Sequence, residues 1–184
     1  MILVISGPSG VGKSTIINNL NRDDGLYFSV SYTTRPIRKN EKHGVDYFFV
    51  DKEIFDRMVK ESCFVEYEEY GGYMYGTSID ELSKVKDKKG IILDLEVNGA
   101  IKVLSKYSNS VGIFVDIDNT ELLSRLKLRG HTDELFLKTR IDLASKQRDE
   151  KGIFEYYILN KEINDTVNEI NDIIYNRILW LNHL

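Results

Sequence analysis

The sequence predicts an α/β fold: a parallel sheet core flanked by helices, carrying a small, mostly β insertion. Three observations predict it. Short apolar runs bounded by turn residues recur at 2–5, 91–95 and 111–117, the pattern of strands buried on both faces. Helical patterns separate these runs, and strands alternating with helices build parallel sheets. Residues 32–77 break that rhythm with a stretch rich in Tyr, Phe, Glu and Gly.

The elements follow in order. MILVIS is the first strand and runs straight into GPSGVGKST, residues 7–15, ahead of a helical pattern at 13–21. LYFSVSY, 26–32, reads as one strand. Inside the insertion, DYFFV and FVEYEEY read as short strands, with a helix over 52–60. Helices are expected at 78–88, 98–106, 119–128 and 134–150, around the strands IILDLE and 111–117. YYILNKEI, 156–163, reads as the last strand. The last helix, about 163–182, carries Ile163, Val167, Ile170, Ile174, Ile178 and Leu181 at helical spacing, and Trp180 is expected to pack with it.

The totals bound the function. A chain of 184 residues, 42% hydrophobic and 29% charged, suits one soluble domain. A net charge of −4 argues against a broad nucleic-acid surface, which calls for a basic excess. The single cysteine, Cys63, forms no internal disulfide and reads as a small buried hydrophobe. MILVIS is too short for a signal peptide, and no apolar run approaches membrane-spanning length. The expectation is a cytoplasmic protein without membrane or nucleic-acid partners. His43, His131 and His183 have no partners at metal-ligand spacing.

The loop GPSGVGKS fits G-x-x-x-x-G-K-[ST], with Gly7, Gly12, Lys13 and Ser14 at the fixed positions. Glycines let the backbone turn tightly enough to aim several N–H groups at one anion, and the following helix adds its N-terminal dipole. Lys13 bridges the β- and γ-phosphates of a nucleoside triphosphate in this arrangement, and the Ser14 hydroxyl binds Mg²⁺. Gly7, Ser9, Gly10, Val11, Gly12, Lys13, Ser14 and Thr15 are the donor-site candidates. IILDLE adds Asp94 and Glu96, expected on one side of a strand near its C-terminal end, where α/β sheets bind ligands. Asp94 is expected to hold the Mg²⁺ shell through water.

A second site is expected in the insertion. SYTTRPIR places Arg35 and Arg38 just after a strand, with Pro36 stiffening the turn between them. Paired guanidinium groups make a phosphate clamp, to which Tyr47 and Tyr75 add neutral donors. EYEEYGGYMYGTS supplies Glu66 and Thr77. A carboxylate such as Glu66 accepts from the N1–H and N2–H₂ edge of guanine, and Ser31 or Thr77 donates to the O6/N7 side.

These motifs together, GPSGVGKST, SVSYTTRPIR, DYFFV, YGTS and ILDLE-x-NG, resemble guanylate kinases over nearly the whole length. The resemblance implies the P-loop nucleoside monophosphate kinase fold. It implies transfer of the ATP γ-phosphate to GMP, and to dGMP, with Mg²⁺. Core segments 1–31, 78–124 and 152–184 would surround a GMP-binding insertion at 32–77 and a helical lid at 125–151. The resemblance implies GMP phosphate binding by Arg35, Arg38, Tyr47 and Tyr75, and guanine reading by Ser31, Glu66 and Thr77. Glu96 stands where the family usually has Asp in its I-D-x-Q-G element, and Asn98 stands where it has Gln. Asn160 is carried over as a donor-base contact, followed by Lys161 where the family often has Asp.

The segment 122–150 reads as two helices joined by a short loop, with Arg125 and Arg129 four apart on one face. The resemblance places Arg129 and Arg140 in the lid. Lys13, Arg38, Arg129 and Arg140 are the expected catalytic cations, neutralising charge that builds on the transferring phosphoryl group. Two other readings compete. A protein-binding module of the same shape would be expected to lose the loop lysine or the lid arginines. A kinase for another nucleoside monophosphate would read a different base than Glu66 and Thr77 suit.

Overall fold

The computed structural model describes residues 1–21, 25–85, 88–128, 130 and 132–181. Five strands form one parallel sheet: β1 (Ile2–Ser6), β2 (Leu26–Phe28), β7 (Gly90–Asp94), β8 (Ser110–Asp116) and β9 (Tyr156–Leu159), in the order β2-β7-β1-β8-β9. The central strand β1 is buried at every position. Its side chains alternate between two cores, which is why it reads as an unbroken apolar run. Leu3 and Ile5 pack with Ile16 of α1 (Lys13–Asn19), Leu122 of α5 (Asn119–Leu128), Ala144 of α6 (Glu134–Asp149) and Ile170 of α7 (Ile163–Leu181). Ile2 and Val4 pack with Val97 and Val103 of α4 (Val97–Lys106) on the other face.

A second, mixed sheet is built from β3 (Tyr32–Thr33), β4 (Phe48–Phe49), β5 (Phe64–Tyr70) and β6 (Tyr73–Ser78), in the order β4-β3-β6-β5. Helix α2 (Lys52–Lys60) spans the gap between β4 and β5, capped by Asp51, whose side chain accepts from the Ile54 N–H. Val65 of β5 joins the α4 core, so the second sheet is packed onto the first.

LYFSVSY is not one strand. Tyr27 and Phe28 belong to the main sheet, while Tyr32 opens the second. The chain crosses between them at residues 29–31, where the ladder ends because the Val30 N–H bonds the Glu81 carboxylate instead of a neighbouring strand. Glu81 lies on α3 (Ile79–Ser83), directly after β6, and also accepts from the Tyr27 hydroxyl. One buried carboxylate thus fastens both chain crossings between the sheets. Three other expectations shift. Strand β6 was not foreseen, the helix expected over 78–88 is the shorter α3, and YYILNKEI ends as a strand at Leu159. No helix among the described residues is long and apolar enough to cross a membrane.

Candidate active site

A cavity of about 280 Å³ opens between the loop after β1, the second sheet and α6. It brings together Ser9, Gly10, Gly12, Lys13, Ser14 and Thr15 from the loop, and Ser31, Arg35, Arg38, Tyr47, Glu66 and Tyr75 from the insertion side. Asp94, Glu96 and Arg140 complete the wall. Residues up to 131 positions apart in sequence therefore meet at the C-terminal edge of the parallel sheet, where the topology reverses direction on either side of β1.

The loop is held from behind. Gly7 sits at φ +139°, and a β-carbon there would overlap the Val115 carbonyl oxygen of β8, so only glycine lets the chain turn this close to the sheet. The Val11 carbonyl accepts from Asn160 Nδ2 at 2.6 Å and Arg125 Nη1 at 3.0 Å. Asn160 was expected at the donor base. Its side chain is buried and committed to the loop, with Oδ1 accepting from Thr166. It does not line the cavity, and neither do Gly7 and Val11.

Lys13 Nζ donates to the Gly7 carbonyl at 2.7 Å, folding back over the loop. Burial draws its ammonium down, but the carboxylates of Glu96 and Asp94 more than offset this and raise it above its ordinary value. Lys13 is therefore a fixed cation. Burial pushes Asp94 up to about 6, against the pull of Lys13 and with the push of Glu96. Glu96 is not on the strand with Asp94, as the sequence suggested. Strand β7 ends at Asp94, and Glu96 is the N-cap of α4. The turn between them still delivers both carboxylates to the one cavity.

On the insertion side, Glu66 is buried and its Oε1 accepts from the Thr77 N–H at 3.0 Å. Burial pushes its carboxyl up to about 7, partly countered by the Thr77 hydrogen bonds. Thr77 itself is fully buried behind Glu66, its hydroxyl 3.3 Å from that of Ser31. Gly99 explains the fit of this corner. A β-carbon at Gly99 would overlap the Glu66 carboxylate. The glycine of the ILDLE-x-NG element, on α4, thus makes room for a side chain of the second sheet.

Arg35 and Arg38 do not form a matched pair. Arg35 is buried and gripped by Glu41, with contacts of 3.0 and 2.8 Å to the two carboxylate oxygens. Burial lowers the Arg35 guanidinium, the Glu41 bond outweighs it, and the net shift is upward. Arg38 is exposed, and its backbone N–H also bonds Glu41. Tyr47 lies beside Arg35, with the guanidinium 5.5 Å from its ring centre. Burial, then Asp94, raises the Tyr47 phenol, so it acts as a neutral donor.

Sequence reasoning missed Glu41, although it stands three residues after Arg38, within easy reach of either arginine. It missed Glu68, whose carboxyl lines the cavity and is raised by burial and by Glu96. It also missed Tyr70 and Gln147. Gln147 of α6 donates to Glu96 at 3.4 Å, and Tyr70 bonds Arg140. Nothing in sequence spacing signals these pairings, because each joins segments 51 to 70 residues apart. Arg129 and His131 lie outside the described residues, so the structure gives no position for that half of the expected arginine pair.

Metal fit follows from the donor set. Ser14 and Asp94 present hydroxyl and carboxylate oxygens to the same cavity, which suits a hard cation such as Mg²⁺. Among the described residues no three His, Cys, Asp or Glu side chains converge as a metal cage. Mg²⁺ commonly takes one or two protein oxygens and completes its shell with phosphate and water.

The family model for guanylate kinase matches residues 1–177. A guanylate kinase from Mycoplasma genitalium is 40% identical over 178 residues, covering 94% of this chain and 74% of its own. One from Clostridium tetani is 37% identical over 176 residues, covering 95% and 85%. The crystal structure of guanylate kinase from Anaplasma phagocytophilum superposes with a TM-score of 0.77 at 30% identity, over 96% of this chain and 85% of that one. Shikimate kinase from Aquifex aeolicus, at 16% identity and a TM-score of 0.51, shares the fold. A match along nearly the whole length, with the phosphate loop and the buried carboxylate of the insertion facing one cavity, leaves one conclusion: the chain belongs to the guanylate kinase family.

Proposed function

We propose that this protein transfers the γ-phosphate of ATP to GMP, and to dGMP, giving ADP and GDP or dGDP. One observation carries the reading. A triphosphate loop with its lysine and a buried carboxylate suited to guanine line the two sides of a single cavity. A nucleotide held on each side places phosphate against phosphate.

The chemistry is an in-line displacement. A phosphate oxygen of GMP attacks the γ-phosphorus, the bond to the β–γ bridging oxygen breaks, and ADP leaves. The attacking oxygen is already anionic, so no general base and no covalent enzyme intermediate are required. The protein positions two mutually repelling anions and neutralises charge on the transferring group. Lys13 faces the β- and γ-phosphates, Arg38, Arg35, Tyr47 and Tyr75 face the acceptor phosphate, and Arg140 reaches over from α6. Arg129 is assigned to the same task from the segment joining α5 and α6. Glu66 reads the guanine donor edge, with Ser31 and Thr77 beside it. Ser14 and Asp94 would hold Mg²⁺, directly or through water, and the ion would add neutralisation of phosphate charge. The site serves an enzyme of the cytoplasm whose substrates are ATP and GMP or dGMP.

The test is ADP release from Mg²⁺–ATP with GMP, dGMP, AMP, UMP, CMP and dTMP in parallel. GMP and dGMP are expected to support turnover. Turnover with a different monophosphate instead would overturn the base assignment, and none with any would overturn the kinase reading. Lys13→Ala is expected to abolish transfer with the circular dichroism spectrum unchanged.

A further inference from the structure

Tyr70 stands at the tip of β5, where the hairpin to β6 turns through Gly71 and Gly72. Its hydroxyl accepts a hydrogen bond from Arg140 Nη1, and its ring lies under the same guanidinium, 5.2 Å from centre to Cζ. Ser9 of the donor loop lies beside the phenol in the same cavity. Arginine only donates, so the phenol oxygen is the acceptor from Arg140. The phenol thus ties the lid helix to the acceptor sheet, and Ser9, Tyr70 and Arg140 all line the one cavity.

The choice of partner matters. Arg35, Arg125, Arg148 and Arg177 each pair with a carboxylate: Glu41, Glu121, Asp116 and Glu155. Arg140 has no ion pair among the described residues and rests on two rings and a neutral hydroxyl, with Phe136 at 4.9 Å on its own helix. A carboxylate would hold the guanidinium but cancel its charge. A phenol holds it and leaves the charge, together with the remaining N–H donors, for an anion. A long arginine side chain carries considerable rotamer entropy, part of which Tyr70 removes before substrate arrives.

We propose that Tyr70 is a positioning residue for phosphoryl transfer, holding the Arg140 guanidinium over the donor loop at full charge. This rests on the cleft being a phosphotransfer site. Tyr70→Phe keeps the ring and removes only the hydroxyl. It is expected to lower kcat about tenfold, the scale of one hydrogen bond to a charged group, while KM for ATP and GMP stays within about twofold. In an Arg140→Ala background, Tyr70→Phe is expected to have no further effect on kcat, since the group it positions is gone.

The four proteins are compared for kcat, both KM values and melting temperature. An equal loss from Tyr70→Phe in both backgrounds would mean a general structural role and overturn the proposal. So would an unchanged or raised kcat, or a loss confined to KM. Full turnover by Arg140→Ala would remove the object being positioned and overturn the proposal, while the kinase reading stands. A parent protein inactive with every monophosphate would bring down both.

Discussion

Glu66 shows what burial does to one side chain. Its carboxyl, pushed up to about 7, is half protonated near neutrality in the empty cleft. A protonated acid meets the guanine N1–H and N2–H₂ edge donor to donor, so only the carboxylate binds well. GMP binding should therefore strengthen as pH rises through about 7, giving kcat/KM for GMP a rising limb there, measured at saturating ATP. Glu66→Gln should lose that limb and raise KM for GMP far more than for ATP. The same shift has a stability sign. Folded Glu66 holds its proton more tightly than an unfolded glutamate at 4.5, so stability is full below about pH 4.5 and falls as pH rises through about 7. The full cost of ionising it is about 3 kcal/mol at 1.36 kcal/mol per pKa unit. Glu66→Gln should accordingly flatten the decline of unfolding free energy between these pH values. The identity of Glu66 as a candidate was legible in the sequence, since a carboxylate near tyrosines and hydroxyls suggests a base reader. Its burial was not, because burial comes from Thr77 on the neighbouring strand and from the space left by Gly99 on α4.

Among the elements, α6 is anchored near its C-terminal end, two turns beyond Arg140. Arg148 grips Asp116 at 2.9 and 2.8 Å, donates to the Asn119 side chain at 2.7 Å and reaches the Ile117 carbonyl at 2.7 Å. Asp116 is the last residue of β8 and is buried, with the Tyr157 hydroxyl donating to it at 2.8 Å. Burial, then this bond, pushes the Tyr157 phenol up to about 12, so it remains a donor throughout the working range. Arg148→Met should strand a buried carboxylate and destabilise the fold by about 3 kcal/mol, read as a lower urea midpoint with an unchanged m-value. The helix was legible from its length and pattern. Its anchor was not, because Asp116 and Arg148 lie 32 residues apart with no spacing rule connecting them. LYFSVSY fails for a related reason. Alternation marks it as extended, but whether it stays in one sheet depends on a carboxylate from α3.

At the scale of the whole molecule, the α/β class and the parallel core were readable because a strand covered on both faces must be apolar along its length, as β1, β7 and β8 are between their end residues. The loop was readable because its job constrains the backbone itself. The order of the strands, and hence which segments meet in the cleft, depends on long-range packing that local patterns do not encode. The acceptor side illustrates the result. Arg35, 8% exposed, already carries Glu41 as its counterion. At Arg35 an arriving phosphate therefore does not meet a bare cation. It trades places with, or crowds in beside, a resident anion, and the ionic atmosphere outside has little left to rearrange. Removing that resident with Glu41→Gln turns the exchange into plain attraction. KM for GMP should then climb more steeply than the parent's as KCl rises from about 0.05 to 0.5 M, the range over which screening shortens from above to below about 10 Å. Parallel salt curves would show that the carboxylate is a bystander; diverging ones would make it the placeholder that keeps the empty acceptor site electrically balanced.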